Sequence, residues 1–184
     1  LIGRLVRLVI VGGVAATLVD RWLAARAAAD SRTQPEAVHT LAVIDAPIDR
    51  VWSVISDIPA QPRWMTDMKA VRMDTPGPVG VGSRGEAWVR MFGVGVSDPV
   101  VITEFEPPHR FAVRHEGPFA GEGIITLESG ADGTTTIVRW SESIVPPVLP
   151  WLSAVALRPL FRAVFRADLE RLTALVESEH REAA

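Results

Sequence analysis

From Ala70 onward, apolar and polar residues alternate with a period of two. The segments "KAVRMDT", "SRGEAWVRMFGV", "DPVVITEFEP", "RFAVRHEG", "GEGIITLES" and "TTTIVRWSESI" each read as a strand. Turn signals lie between them in "PGPVGVG", "EPPHR" and "ADGT". "SGADGT", between two alternating runs, is the clearest hairpin. Six strands in succession with short turns predict an antiparallel meander. Upstream, "VHTLAVIDA" predicts a first strand over residues 38–45.

Between that strand and the meander the period changes. In "IDAPIDRVWSVISDIPAQPRWM", Ile48, Val51, Trp52 and Ile55 fall at i, i+3, i+4 and i+7, one buried stripe of a short helix. Pro47 presets the first helical φ, and Asp49 lies in the first turn, favourable to the helix dipole. Pro59 disfavours helical geometry at Ile58, so the helix should stop near Asp57. "AQPRWMTDM" reads as a second short helix with Trp64, Met65 and Met68 turned inward. At the other end, the prolines of "VPPVLP" close the sheet region. A final helix is predicted over residues 151–179, with Pro159 as a kink or junction. Its apolar side gathers Leu157, Leu160, Phe161, Val164, Phe165, Leu172 and Leu175, while Arg158, Arg162 and Arg166 step along the other.

This order of elements, carried by the stretch from Ile44 to Met65, by "GVGSRGEAWV", "ITEFEPPHRFAVRHEG" and "GEGIITLES", and by the closing "ADLERLTALVES", resembles the START/SRPBCC helix-grip superfamily. Polyketide cyclase/dehydrase-like members are the nearest in kind. The resemblance covers about residues 36–179. It implies an α+β fold in which a curved antiparallel sheet of about seven strands wraps a long C-terminal helix. The two short helices would wedge the open end of the sheet, with Trp64 near a cavity mouth. It also implies a hydrophobic small molecule as partner: a lipid, a quinone or a polyketide-like compound. The superfamily has no universal catalytic motif, so none is transferred.

The N-terminal segment changes the picture most. After Arg4 and Arg7 it runs apolar from Leu8 to Val19. That run is short of the roughly 20 residues of a membrane span and suits a signal-like core. From Leu5 to Leu23 it reaches spanning length if Arg7, Asp20 and Arg21 snorkel, which would leave Trp22 at headgroup level. A membrane anchor, a cleaved signal and a helix packed on the domain are the three readings. Localisation is therefore expected at a membrane, with cytoplasmic or secreted alternatives. The expected organisation is this helix over 1–29, a polar, proline-bearing linker over 30–37, and a ligand-binding domain over 38–184.

Composition narrows the chemistry. The chain has 184 residues, 48% of them hydrophobic and 22% charged, so a sizeable core is expected. The net charge of −3 and the lack of a long basic block argue against a nucleic-acid partner. Cysteine is absent, which removes disulfides and thiolate chemistry. His39, His109, His115 and His180 form no helical metal-ligand pair, and no metal or cofactor is expected. Pocket candidates are the polar groups His115, Glu122, Glu142 and Asp168, with Trp64, Trp88, Trp140, Phe161 and Phe165 as walls. Of these, His115, Glu122 and Asp168 are the candidates for proton transfer if the protein is an aromatase/cyclase-like enzyme. A non-catalytic binder and a domain that meets partners through its surface are the other readings, and the oligomeric state is left open.

Overall fold

The computed structural model describes residues 2–29, 37–91, 93–146 and 148–183. Helix α1 (Ile2–Ala29) precedes strand β1 (Val38–Ile44), helix α2 (Ile48–Ile55) and a 3-10 helix (Ile58–Arg63). Strands β2 (Met68–Met73), β3 (Arg84–Met91), β4 (Val94–Glu106), β5 (Arg110–His115), β6 (Ala120–Ser129) and β7 (Thr136–Val145) follow, then helix α3 (Pro150–Ala183). The expected linker falls on residues 30–37, and all but Ala37 lie outside the described residues.

The seven strands form one antiparallel sheet in the order β1-β7-β6-β5-β4-β3-β2. Only β1 leaves chain order, pairing across to β7 with Val38 opposite Glu142 and Ile44 opposite Thr136. A meander that curls back on its first strand leaves one concave face, and α3 lies over it against β1 and β7. The expected helix-grip architecture is the one observed.

Three local readings are corrected. The second short helix is a 3-10 turn that starts at Ile58, because Pro62 inside it lacks the N–H that would continue an α-helix. The third predicted strand ran through residues 92–94, but β3 ends at Met91 and pairs back with β4 at Val94. Gly93, at φ 84°, makes this tight turn possible. Leu160, placed on the inner face of the last helix, is exposed; the buried face of α3 is formed by Phe161, Asp168, Leu169, Leu172 and Val176. Pro159 sits inside one unbroken helix.

The core joins α2 to the sheet and to the second half of α3. Val51, Trp52 and Ile55 pack with Ile44, Ile102, Phe111, Leu127, Val138, Leu169, Leu172 and Val176. Each such side chain, fully buried, contributes about 1.5–3 kcal/mol. Trp52 meets Phe105 edge-on at 5.3 Å. Two arginines tie the wedge to α3: Arg50 and Arg63 both reach the Glu179 carboxylate, at 2.8 and 2.5 Å. With the second half of α3 held this way, the first half spans a part of the sheet that is not filled.

Candidate functional site

The unfilled part is a partly open cavity of about 140 Å³ between the sheet, the 3-10 helix and α3. Strand alternation decides what lines it. Ala87 and Val89 of β3, Asp98, Val100 and Ile102 of β4, and Phe111, Val113 and His115 of β5 face inward. So do Gly123 and Ile125 of β6, and Trp140, Glu142 and Ile144 of β7. Phe161, Val164, Phe165 and Asp168 close the cavity from α3, with Met65, just past the 3-10 helix, and Met68 of β2 beside them. Phe165 lies 4.8 Å from Trp140 and stacks on Phe161 at 6.1 Å.

In this apolar lining three charged groups converge at one end of the sheet, where β4 and β6 begin and β5 and β7 end. Asp98 Oδ2 lies 2.6 Å from His115 Nδ1, and Asp98 Oδ1 accepts the N–H of Gly117 at 3.1 Å. On the other side of the imidazole, Nε2 lies 3.1 Å from Glu142 Oε1. Glu142 Oε2 accepts the indole N–H of Trp140 at 2.8 Å. Oε1, by contrast, is fully buried and receives no well-directed hydrogen bond; its contact with His115 is an ion pair off the donor axis.

Glycine makes this arrangement possible. Glu142 is on β7 and His115 on β5, with β6 between them, and strands stand roughly 4.8 Å apart. Gly123 of β6 pairs directly with Glu142, and a Cβ there would lie 2.5 Å from Glu142 Oε2. Without a side chain at Gly123, the carboxylate can lie across β6 and reach the histidine.

The electrostatics follow from the geometry. Burial alone would push the His115 imidazole down, but the hydrogen bond to Asp98 and the contact with Glu142 outweigh it, raising His115 to about 10. At neutral pH the group is an imidazolium held between two carboxylates. The cluster thus carries one net negative charge inside a greasy wall, a setting in which an incoming anion is repelled and a hydrogen-bond donor is attracted.

Asp168 is the second polar feature. Its Oδ1 accepts the backbone N–H of Thr66 at 2.9 Å and the Thr66 hydroxyl at 2.8 Å, and Arg171 Nη1 lies 3.4 Å away. Burial pushes its carboxyl above the ordinary range, against the pull of the Thr66 bonds. Arg171, three residues on, is within ion-pair reach, but Thr66 is the closer partner, and it fixes the wedge to α3.

The structure separates the remaining candidates. His115, Trp140, Glu142, Phe161, Phe165 and Asp168 line the cavity. Trp64 does not: it is buried behind the wall, edge-on to Trp140 at 5.9 Å. Trp88 points to the outer face of β3, under the Arg72 guanidinium at 5.4 Å, because Ala87 and Val89 hold the inward phase. Glu122 is out of phase with Gly123 and stands outside the cavity near Thr103. Asp98 was not foreseen, although it shares the phase of Val100 and Ile102. Among the described residues no cluster of histidines and carboxylates is arranged to hold a metal ion.

The family model for polyketide cyclase/dehydrase and lipid transport proteins matches residues 35–177. The chain belongs to that family. The match begins just before β1 and ends inside α3, so it takes in every element that builds the cavity and leaves α1 outside. No curated protein matches the sequence. Among solved structures, the ZhuI aromatase/cyclase of Streptomyces sp. R1128 is similar over 80% of this chain and 97% of its own, with a TM-score of 0.69 at 18% identity. A Thermus thermophilus protein matches with a TM-score of 0.63 at 18% identity, covering 78% of this chain and 98% of its own. A Nitrosospira multiformis protein gives 0.60 at 23% identity, covering 79% and 99%. At these identities the likeness shows the fold. Family membership points to a hydrophobic ligand.

Proposed function

We propose that this protein binds an apolar small molecule that carries a hydrogen-bond donor, and holds it with that donor on Glu142. The observation behind this reading is the buried Oε1 of Glu142 in the wall of an otherwise greasy cavity, which contacts His115 Nε2 at 3.1 Å but receives no well-directed hydrogen bond. A buried acceptor without a well-directed donor costs up to about 1–3 kcal/mol, and a ligand hydroxyl or amine would recover part of it. The volume of about 140 Å³ suits a small ring system without rearrangement. Longer lipids, quinones or polyketides would need the mouth to open. Comparison of 2-naphthol, naphthalene and 2-naphthoate tests the reading, with binding followed by calorimetry or ligand fluorescence. Naphthol should bind tightest and naphthoate weakest. If none of the three binds, the cavity is not a small-ring binding site. If naphthalene binds as well as naphthol, Glu142 is not the anchor.

A second reading, an aromatase/cyclase-like enzyme, is favoured by one observation: Asp98, His115, Glu142 and Asp168 all line the same cavity. Glu142 would take a proton from the carbon between two carbonyls, and the neighbouring imidazolium would stabilise the enolate that forms. Solvent deuterium exchange into benzoylacetone, a 1,3-diketone that is mostly neutral at pH 7, measured by NMR, tests this. Exchange above the buffer rate, abolished in Glu142→Gln, supports it; exchange at the buffer rate counts against it.

A further inference from the structure

Helix α1 is amphipathic in the wrong direction for a helix that ends in water. Its one carboxylate, Asp20, is 3% exposed, and its Oδ1 accepts the backbone N–H of Leu152 at 2.9 Å in the first turn of α3. The residue before that helix is Leu149, at φ 46°, which has no side-chain acceptor to cap it. Asp20 therefore supplies from α1 the negative group that the N-terminus of α3 lacks. Two positions along a helix turn about 200°. Fixing Asp20 against α3 thus turns Leu18 and Trp22 to the opposite side, and Val14 continues their row at i, i+4, i+8. Leu18, Trp22 and Val14 are 63%, 55% and 55% exposed, and Val19 beside them 50%. On α3, Val155 and Leu160 are exposed as well.

The same end of the molecule is cationic. Residues 1–29 and 150–171 contain eight arginines and three carboxylates; the rest of the chain contains 11 basic and 19 acidic residues. Two of the three carboxylates, Asp20 and Asp168, are buried. Arg21, Arg26, Arg162 and Arg166 are exposed, and Arg26 covers the Trp22 ring at 4.9 Å. In a protein with a net charge of −3, Arg21 and Arg26 thus flank the outward apolar row.

We infer that the outward face of α1 is a docking surface for an anionic phospholipid bilayer, so that the helix lies on the bilayer and does not cross it. Val14, Leu18 and Trp22 enter the interface, and Arg21 and Arg26 meet the lipid phosphates. Two observations favour this surface mode. Among the described residues no helix is long and apolar enough to cross a membrane. Asp20, which a spanning helix would have to bring to a membrane surface, is instead held against α3. The docking claim holds whether or not the cavity is filled.

Vesicle flotation of the full chain tests it, with phosphatidylcholine alone and phosphatidylcholine mixed with phosphatidylglycerol. The protein should float with the anionic vesicles, release at high salt and show a blue shift in tryptophan emission. R21Q/R26Q should weaken partitioning about thirtyfold, and L18S/W22S should abolish the shift. Circular dichroism of both variants should match the parent, since all four side chains are exposed. Three results would overturn the inference: no flotation with anionic vesicles; flotation that resists salt and both variants, as a spanning anchor would give; or a concentration-dependent dimer in light scattering, lost in L18S/W22S, without lipid binding. The salt dependence of the unmodified chain decides the matter even if a variant fails to fold.

Discussion

Raising the pH should remove much of the domain's stability through a single residue. The His115 imidazole is raised from 6.5 to about 10 by Asp98 and Glu142. Below pH 6.5 the folded and unfolded chains both hold the proton, and the stabilisation is fully present. Above 6.5 the unfolded chain loses its proton first, so stability falls by about 1.4 kcal/mol per pH unit. The fall stops only when the folded state also titrates, near pH 10. Over that window the loss is on the order of 5 kcal/mol, comparable to the whole stability of a small domain. The chain has no cysteine or tyrosine and one lysine, Lys69, so few other side chains titrate there. Urea unfolding from pH 6 to pH 10, in the parent and in His115→Gln, measures the effect. The parent should lose stability steadily. The variant should give a flat profile and be less stable at pH 7 by about 3–5 kcal/mol, since it leaves two buried carboxylates without their cation. Imidazole NMR shifts follow the same group directly and do not require the variant to fold. A parent profile flat from pH 7 to pH 9, or an imidazole titrating near 6.5, would refute the charged cluster.

Gly123→Ala places a Cβ 2.5 Å from Glu142 Oε2; it should cost about 1–3 kcal/mol in urea unfolding and lower the His115 titration point. Ala87→Leu adds bulk to the cavity wall and should weaken 2-naphthol binding tenfold or more, in calorimetry, while leaving the urea midpoint unchanged or higher. Asp168→Asn keeps an acceptor for the Thr66 N–H and hydroxyl and removes a charge that burial disfavours, so its stability at pH 7 should stay within about 1 kcal/mol of the parent. Asp168→Ala leaves the Thr66 N–H without that acceptor and should lose about 1–3 kcal/mol.

The fold was legible because its signals are local. Alternation marks the strands, prolines bound α2 and the 3-10 helix, and the long apolar stripe marks α3. Where a strand contains glycine the alternation runs on, and the turn at Gly93 was read through for that reason. Alternation also gives the phase of a strand without saying which phase is inside. Trp88 is the large apolar residue of β3, yet small Ala87 faces the cavity; the charges of Glu86 and Arg90, in phase with Trp88, were the cue. The charged cluster needs three strands. His115 was legible from its phase with Phe111 and Val113, but Asp98 looked like the polar start of a strand. The role of Gly123 is visible only once Glu142 crosses it. Asp20 was read as snorkelling because its partner, Leu152, is 132 residues away.

The central claim is that the hollow between α3 and the sheet accepts a guest. Methyl NMR of protein labelled at isoleucine, leucine, valine and methionine, titrated with 2-naphthol, tests this most directly. The account predicts saturable shifts at Ile102, Val113, Ile125 and Met68, all in the cavity wall. Leu127 and Val138 in the packed core serve as reference sites and should stay unchanged. Cavity methyls that stay still up to the solubility limit of the probe, or that move no more than Val138, would contradict it.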